Sequence, residues 1–164
     1  MKITVLYYTK IGHTKEMAEI VAAGARQVAG VEAAVFPMEA PDVQWLTASD
    51  CVLLGTPTYM ADLAGVVKCW LETAGHKYPL AGKLGGAFAT AHFSHGGGDI
   101  AIQSILHHLL VAGMVVYSGG DSLGQPVIHL GPVALSEDLE QYQSLFATYG
   151  QRMAEKAVAL FGES

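Results

Sequence analysis

The stretch Val5-Leu6-Tyr7-Tyr8-Thr9-Lys10-Ile11-Gly12-His13-Thr14-Lys15-Glu16-Met17-Ala18 decides the fold. Its front half belongs to a β-rich apolar run, Ile3 to Tyr8, of the kind buried on both faces in a parallel sheet. Its back half opens a helix. From Lys15 the apolar positions Met17, Ile20, Val21, Ala25 and Val28 recur at helical spacing until Gly30 ends the pattern. Between them, Thr9 to Thr14 form a loop of small and hydroxyl-bearing residues. Backbone N–H groups at the start of such a helix favour an anion, and the Thr hydroxyls add donors.

The same alternation continues along the chain. Val31 to Pro37 reads as a second strand, and Val43 to Ala48 as a short helix. Asp50 to Gly55 is a third strand. Leu63 to Ala74 is a helix with Val66, Val67, Trp70 and Leu71 inward. Leu84 to Ala91 is a fourth strand of small residues. Asp99 is placed to cap a helix from Ile100 to Ala112. Met114 to Ser118 is a fifth strand, followed by a loop through Gly119-Gly120, Pro126 and Pro132. A last helix starts near Ser136 and runs to about Leu160. Five strand–helix alternations predict an α/β fold with a parallel sheet covered by helices on both faces. Right-handed crossovers leave few topologies. No linker, repeat or low-complexity tract divides residues 1–164, so a single domain is expected.

Composition bounds the partners. The chain has 164 residues, 51% of them hydrophobic and 15% charged, which fits a core-rich globule rather than a disordered segment. With so few charges, apolar surface is left for a subunit interface. A formal charge of −6 without any Lys/Arg run argues against nucleic acid. Cys51 and Cys69 form no CxxC pair and read as two small buried hydrophobes in a reduced, cytoplasmic setting. The N-terminus has no signal-peptide pattern, and no apolar run approaches the ~18 residues of a membrane span, so no membrane insertion is expected.

Three loops at the carboxyl ends of the strands hold the unusual residues, which is where open α/β sheets bind ligands. The first loop has neither GxGxxG nor GxxxxGK[ST], so dinucleotide and P-loop readings lose their main support. A hydroxyl-rich loop suits a terminal monophosphate. The alternative is a strand-to-helix turn with no ligand. The second, Thr56-Pro57-Thr58-Tyr59-Met60-Ala61, offers an aromatic to pack on a planar heterocycle and backbone donors for its polar edge; the alternative is a Tyr at a loop tip. The third, Ala91-His92-Phe93-Ser94-His95-Gly96-Gly97-Gly98, combines an aromatic with two imidazoles. Its glycines permit close backbone approach to a ligand, or simply a mobile loop. His92, His95, His107 and His108 have no carboxylate or Cys at ligand spacing, so no metal site is expected. No Ser or Cys nucleophile with a credible His partner stands out and no catalytic side chain is singled out. A cofactor would carry any chemistry.

On these residues the chain resembles the flavodoxin superfamily. In the first loop and in Gly55-Thr56-Pro57-Thr58-Tyr59 it is nearest the branch of WrbA-type NAD(P)H:quinone oxidoreductases and NADPH-dependent FMN reductases. The resemblance implies a flavodoxin-like three-layer sandwich with a five-stranded parallel sheet in the order 2-1-3-4-5, and FMN as cofactor. It assigns the FMN phosphate to the loop Thr9, Lys10, Ile11, Gly12, His13 and Thr14. It places Pro57, Thr58, Tyr59, Met60 and Ala61 along the isoalloxazine and ribityl chain. Ala91, His92, Phe93 and Ser94 fall at the other edge of the flavin, with Gly97 among the glycines that close the pocket. The function implied is passage of electrons from NAD(P)H through FMN to a quinone or similar acceptor. Alternatives are a flavodoxin-type carrier between redox proteins and a non-enzymatic FMN-binding protein. A homodimer, or a tetramer, is the implied assembly. Two departures stand out. Val111-Ala112 replace a His pair that precedes Gly-Met in that branch, and two segments that help build its tetramer are shorter here.

Overall fold

A computed structural model describes residues 1–162. The opening stretch folds as its pattern demands. Strand β1 (Lys2–Tyr7) turns through Tyr8 to Gly12 into helix α1 (His13–Ala25). Alternate β1 residues face opposite layers. Ile3, Val5 and Tyr7 pack with Met17, Val21, Phe146 and Met153 on one side, while Leu6 joins Leu46, Val67, Ile102 and Ile105 on the other. The buried Thr4 hydroxyl stays satisfied through Ser49 Oγ at 2.7 Å. Both faces of the sheet are therefore covered, and a three-layer α/β sandwich results.

The remaining elements are β2 (Glu32–Pro37), α2 (Val43–Ala48), β3 (Cys51–Tyr59), β4 (Asp62–Leu63), α3 (Gly65–Lys77) and β5 (Leu84–Ala91), followed by α4 (Gly98–Val111), β6 (Val115–Val116), β7 (Val133–Leu135) and α5 (Gln143–Phe161). The main sheet is parallel in the order β2-β1-β3-β5-β6. This is the expected 2-1-3-4-5 order, because β5 and β6 are the fourth and fifth strands of the parallel path. Two short strands were not expected. β4 pairs antiparallel with the end of β3, and β7 pairs with the end of β5. The fifth position in the sheet is thus split. β6 accompanies Leu84 and Gly85, the chain then leaves the edge, and β7 returns beside Ala89 to Ala91. Arg152 on α5 ties this excursion down by donating to the carbonyls of Pro126 (2.8 Å), Leu123 (3.2 Å) and Gly124 (3.2 Å).

Several boundaries differ from the sequence pattern for identifiable reasons. α1 starts at His13 because Gly12, at φ 105°, serves as its N-cap. Its end at Ala25 precedes Val28, and both Arg26 Nε and Nη2 donate to Ala33 O. Leu63 belongs to β4 rather than to α3, and the N–H of Ala64 goes to Thr56 Oγ1 at 3.1 Å. Val66, expected inward, is exposed. Asp99 lies in the first turn of α4, where its charge suits the helix dipole, but Gly97 holds the cap position. The strand expected over Met114 to Ser118 is reduced to Val115–Val116. α5 begins seven residues after Ser136, since Val133–Leu135 is spent on β7 and the Ser136 N–H donates to Ala91 O at 2.9 Å. Cys51 is buried as expected, whereas Cys69 is exposed; both are free thiols. Among the described residues, no helix is long and apolar enough to cross a membrane.

Candidate functional site

The three unusual loops meet at one end of the sheet around two adjoining cavities of about 150 and 370 Å³. The smaller is walled by Thr9, Lys10, Ile11, His13 and Thr14 from the first loop, Pro57 to Tyr59 from the second, and Thr90 to His92 from the third, with Ser136. The larger is walled by Thr58 to Ala61 and by Ala91, His92, Phe93 and Gly96. Thr58, Tyr59, Ala91 and His92 border both.

The first loop is built to leave donors free. Gly12 adopts φ 105°, which a Cβ would strain, and nothing lies within 4 Å of where that Cβ would point. No side chain caps α1, and its first helical bond runs from Glu16 N–H to Gly12 O at 3.0 Å. The N–H groups of His13, Thr14 and Lys15 come before that bond and are the orphan donors of a helix start. Thr9 Oγ1 accepts the Gly12 N–H at 3.0 Å and so shapes the turn. The Thr14 hydroxyl is buried against Thr90 Oγ1 at 2.8 Å, fastening the loop to β5. Thr14 thus keeps its backbone N–H outside the helical bonding while its hydroxyl is already paired.

The second loop continues β3 as far as Tyr59. Pro57 pairs with Thr90, beyond the last β1 partner Gly55, so the missing N–H falls where β3 has one parallel neighbour instead of two. Thr58 Oγ1 is buried and has no protein partner. Leaving a hydroxyl in that state costs about 1–3 kcal/mol. It borders both cavities, so a polar group placed there would relieve the cost. Tyr59 is part-exposed, and desolvation, followed by the Tyr8 phenol nearby, pushes its own phenol above the ordinary value. Met60 is 99% exposed and joins Ile11 and Phe93 in an apolar rim.

In the third loop, His92 Nδ1 stands 3.2 Å from Ser136 Oγ. Its ring meets Phe93 edge-on at 4.4 Å, and Phe93 stacks with His95 at 5.6 Å. Ser94 is exposed and borders neither cavity. Gly97 also lies outside both linings and packs instead on Ala61. Thr90 and Ser136 are lining residues that the sequence reading did not single out, whereas Gly96, one of the third-loop glycines expected to close the pocket, lines the larger cavity. Thr90 carried a signal, as a lone hydroxyl in the run Leu84-Gly85-Gly86-Ala87-Phe88-Ala89-Thr90-Ala91. Ser136 carried none, because only the return of β7 to the sheet edge brings it there. Among the lining residues Lys10, His13 and His92 are basic and none is a carboxylate, although the whole chain is acidic. No cluster of three His, Cys, Asp or Glu groups suits a metal ion among the described residues.

Comparison with known proteins adds a second line. The family profile described as NADPH-dependent FMN reductase matches residues 37–125, and the profile described as Flavodoxin matches residues 5–66. A protein named Flavodoxin from Clostridium saccharobutylicum is 38% identical over 98% of this chain and 100% of its own length. A protein named NAD(P)H dehydrogenase (quinone) from Azorhizobium caulinodans is 32% identical over 83% of this chain and 76% of its own length. Among solved structures, a WrbA-like flavodoxin from Agrobacterium tumefaciens superposes with a TM-score of 0.78 at 25% identity, covering 96% of this chain and 98% of that one.

Proposed function

The chain belongs to the flavodoxin superfamily, near its WrbA-type branch, and on that premise we propose that it is an FMN-dependent oxidoreductase passing electrons from NAD(P)H to a quinone or similar acceptor. FMN is the cofactor of this family. The site fits it at three points: an uncapped helix start for the phosphate, the orphan hydroxyl of Thr58 for a polar group, and an adjoining larger cavity for a ring. Bound FMN supplies hydride- and electron-transfer chemistry that no side chain of this chain could provide.

The protein's share is binding, orientation and exclusion of water. The N–H groups of His13, Thr14 and Lys15 would hold the phosphate, with the Lys10 ammonium adding charge at the mouth. Thr58, Tyr59 and Met60 would line one edge of the ring, and Ala91, His92 and Phe93 the other. Ser136 steers His92 through its Nδ1. Ile11, Met60 and Phe93 give the rim an apolar surface toward a planar acceptor.

The observation that carries the enzyme reading is the lining itself, basic and free of carboxylates. Such a wall admits the polyanionic NAD(P)H and a neutral quinone, and offers nothing to a cationic partner surface. A single domain spanning residues 1–164, a cytoplasmic setting and a homodimer or tetramer complete the proposal. Steady-state oxidation of NAD(P)H by the FMN-loaded protein with a benzoquinone tests it; absence of turnover would remove the enzyme reading. A carrier between redox proteins is the second reading, favoured by the end-to-end match to a protein named Flavodoxin. It requires the loaded protein to accumulate its one-electron-reduced form in a redox titration.

A further inference from the structure

The turn joining β3 to β4 is built against residue preference. Met60 and Ala61 both hold positive φ, at 51° and 62°. Two-residue hairpin turns of this kind normally use Asn-Gly or Gly-Gly. The Met60 side chain is almost wholly in solvent and cannot hold the turn by packing. The support comes from α4. Gly97 approaches so closely that a Cβ on it would lie 2.6 Å from Ala61 O and 2.7 Å from Ala61 Cα. Two helical turns further on, Ser104 Oγ donates to Asp62 Oδ1 at 2.7 Å, and the same oxygen accepts the Leu63 N–H at 2.7 Å.

Ser104 is itself braced. Its carbonyl accepts from His108 Nδ1 at 2.7 Å, which places the ring proton on Nδ1. Nε2 is then free to accept from Lys68 Nζ at 3.0 Å, and Lys68 is paired with Glu72 at 2.8 Å. One chain of polar contacts therefore runs from the turn across α4 to α3. Neither Asp62 nor Ser104 borders either cavity, yet the turn they fasten supplies Tyr59, Met60 and Ala61 to the wall of the larger one.

The geometry points to Asp62 and Ser104 as positioning residues that hold this wall at the ring end of the flavin site. The role rests on the FMN reading above. It acts through the wall alone and leaves the phosphate loop untouched, so loss of the anchor weakens binding of FMN and of riboflavin by the same factor.

The test uses the full chain with Ser104→Ala and Ser104→Thr. Dissociation constants for FMN and riboflavin come from quenching of flavin fluorescence, and exchange of the Leu63 amide is followed in the flavin-free protein. In Ser104→Ala, both flavins bind roughly three- to tenfold more weakly, as expected for loss of one hydrogen bond that water partly replaces at this exposed position. The Leu63 amide exchanges faster. Ser104→Thr, which keeps the hydroxyl, restores both. If Ser104→Ala binds both flavins like the unaltered protein, or loses FMN affinity alone, the positioning role is overturned while the FMN reading stands. If the unaltered protein takes up neither flavin, the FMN reading and the ring-positioning role fall together.

Discussion

Replacing Thr58 by Val separates the cost of an empty site from the gain of a filled one. Val has nearly the shape of Thr and suits a strand at least as well, so packing in β3 changes little. What it removes is a buried hydroxyl without a protein partner. In the flavin-free protein that hydroxyl costs about 1–3 kcal/mol, so Thr58→Val is expected to stabilise by about 1 kcal/mol once partial relaxation is allowed for. For a domain of this size that raises the melting temperature by roughly 2–4 °C. If FMN bonds the hydroxyl as proposed, its removal forfeits about 0.5–1.5 kcal/mol in the bound state on top of the relief gained in the free one, a loss of roughly ten- to seventyfold in affinity. Thermal unfolding without flavin and a fluorescence titration with FMN measure the two effects. They should have opposite signs. A variant that is less stable when flavin-free and binds FMN unchanged would refute the argument that Thr58 is left open for a ligand.

Further expectations concern other parts of the molecule. Gly12→Ala forces a Cβ onto φ 105° without any clash, so it should cost about 1–2 kcal/mol of stability and weaken FMN more than riboflavin. Arg152→Met removes the donors that gather the carbonyls of Leu123, Gly124 and Pro126, and limited proteolysis should then cut within residues 120–127 while α5 stays intact. The Cys51 thiol and the Tyr149 phenol are raised above their ordinary values of 9.0 and 10.0, chiefly by burial. Below those ordinary values both groups are protonated in the folded and unfolded chain alike. Above them the unfolded chain releases protons that the folded one keeps, so stability falls with rising pH, by up to about 1.4 kcal/mol per pH unit for each group. Urea unfolding at pH 8, 9.5 and 10.5 should show this decline, and Cys51→Val should delay its onset; a flat profile would contradict it.

The parts of the fold legible in the sequence are those where one periodicity dominates. Ile3, Val5 and Leu6 are buried whichever face they take, because helices cover both, so the parallel sheet showed as a continuous apolar run. The first loop was legible because a strand, a Gly and a helical repeat follow one another within a few residues. What stayed hidden depends on contacts distant in sequence. β7 is only three residues long and exists because the end of β5 has an open edge there; nothing in Val133-Ala134-Leu135 announces it. Ser136 reaches the site by the same route. The Met60-Ala61 turn contains neither Gly nor Asn, so its left-handed backbone left no mark, and its anchors on α4 lie some forty residues away. Gly97 was legible as a required glycine, but the contact requiring it is Ala61 rather than a lining position.

The central claim is that the uncapped start of α1 holds a flavin phosphate, and parallel fluorescence titrations of the flavin-free protein with FMN and riboflavin test it most directly. The two ligands differ only by that phosphate. Several charge-assisted hydrogen bonds, each worth about 1.5–3 kcal/mol, should favour FMN by at least roughly a hundredfold. Equal affinity for the two, or no uptake of FMN, would contradict the account.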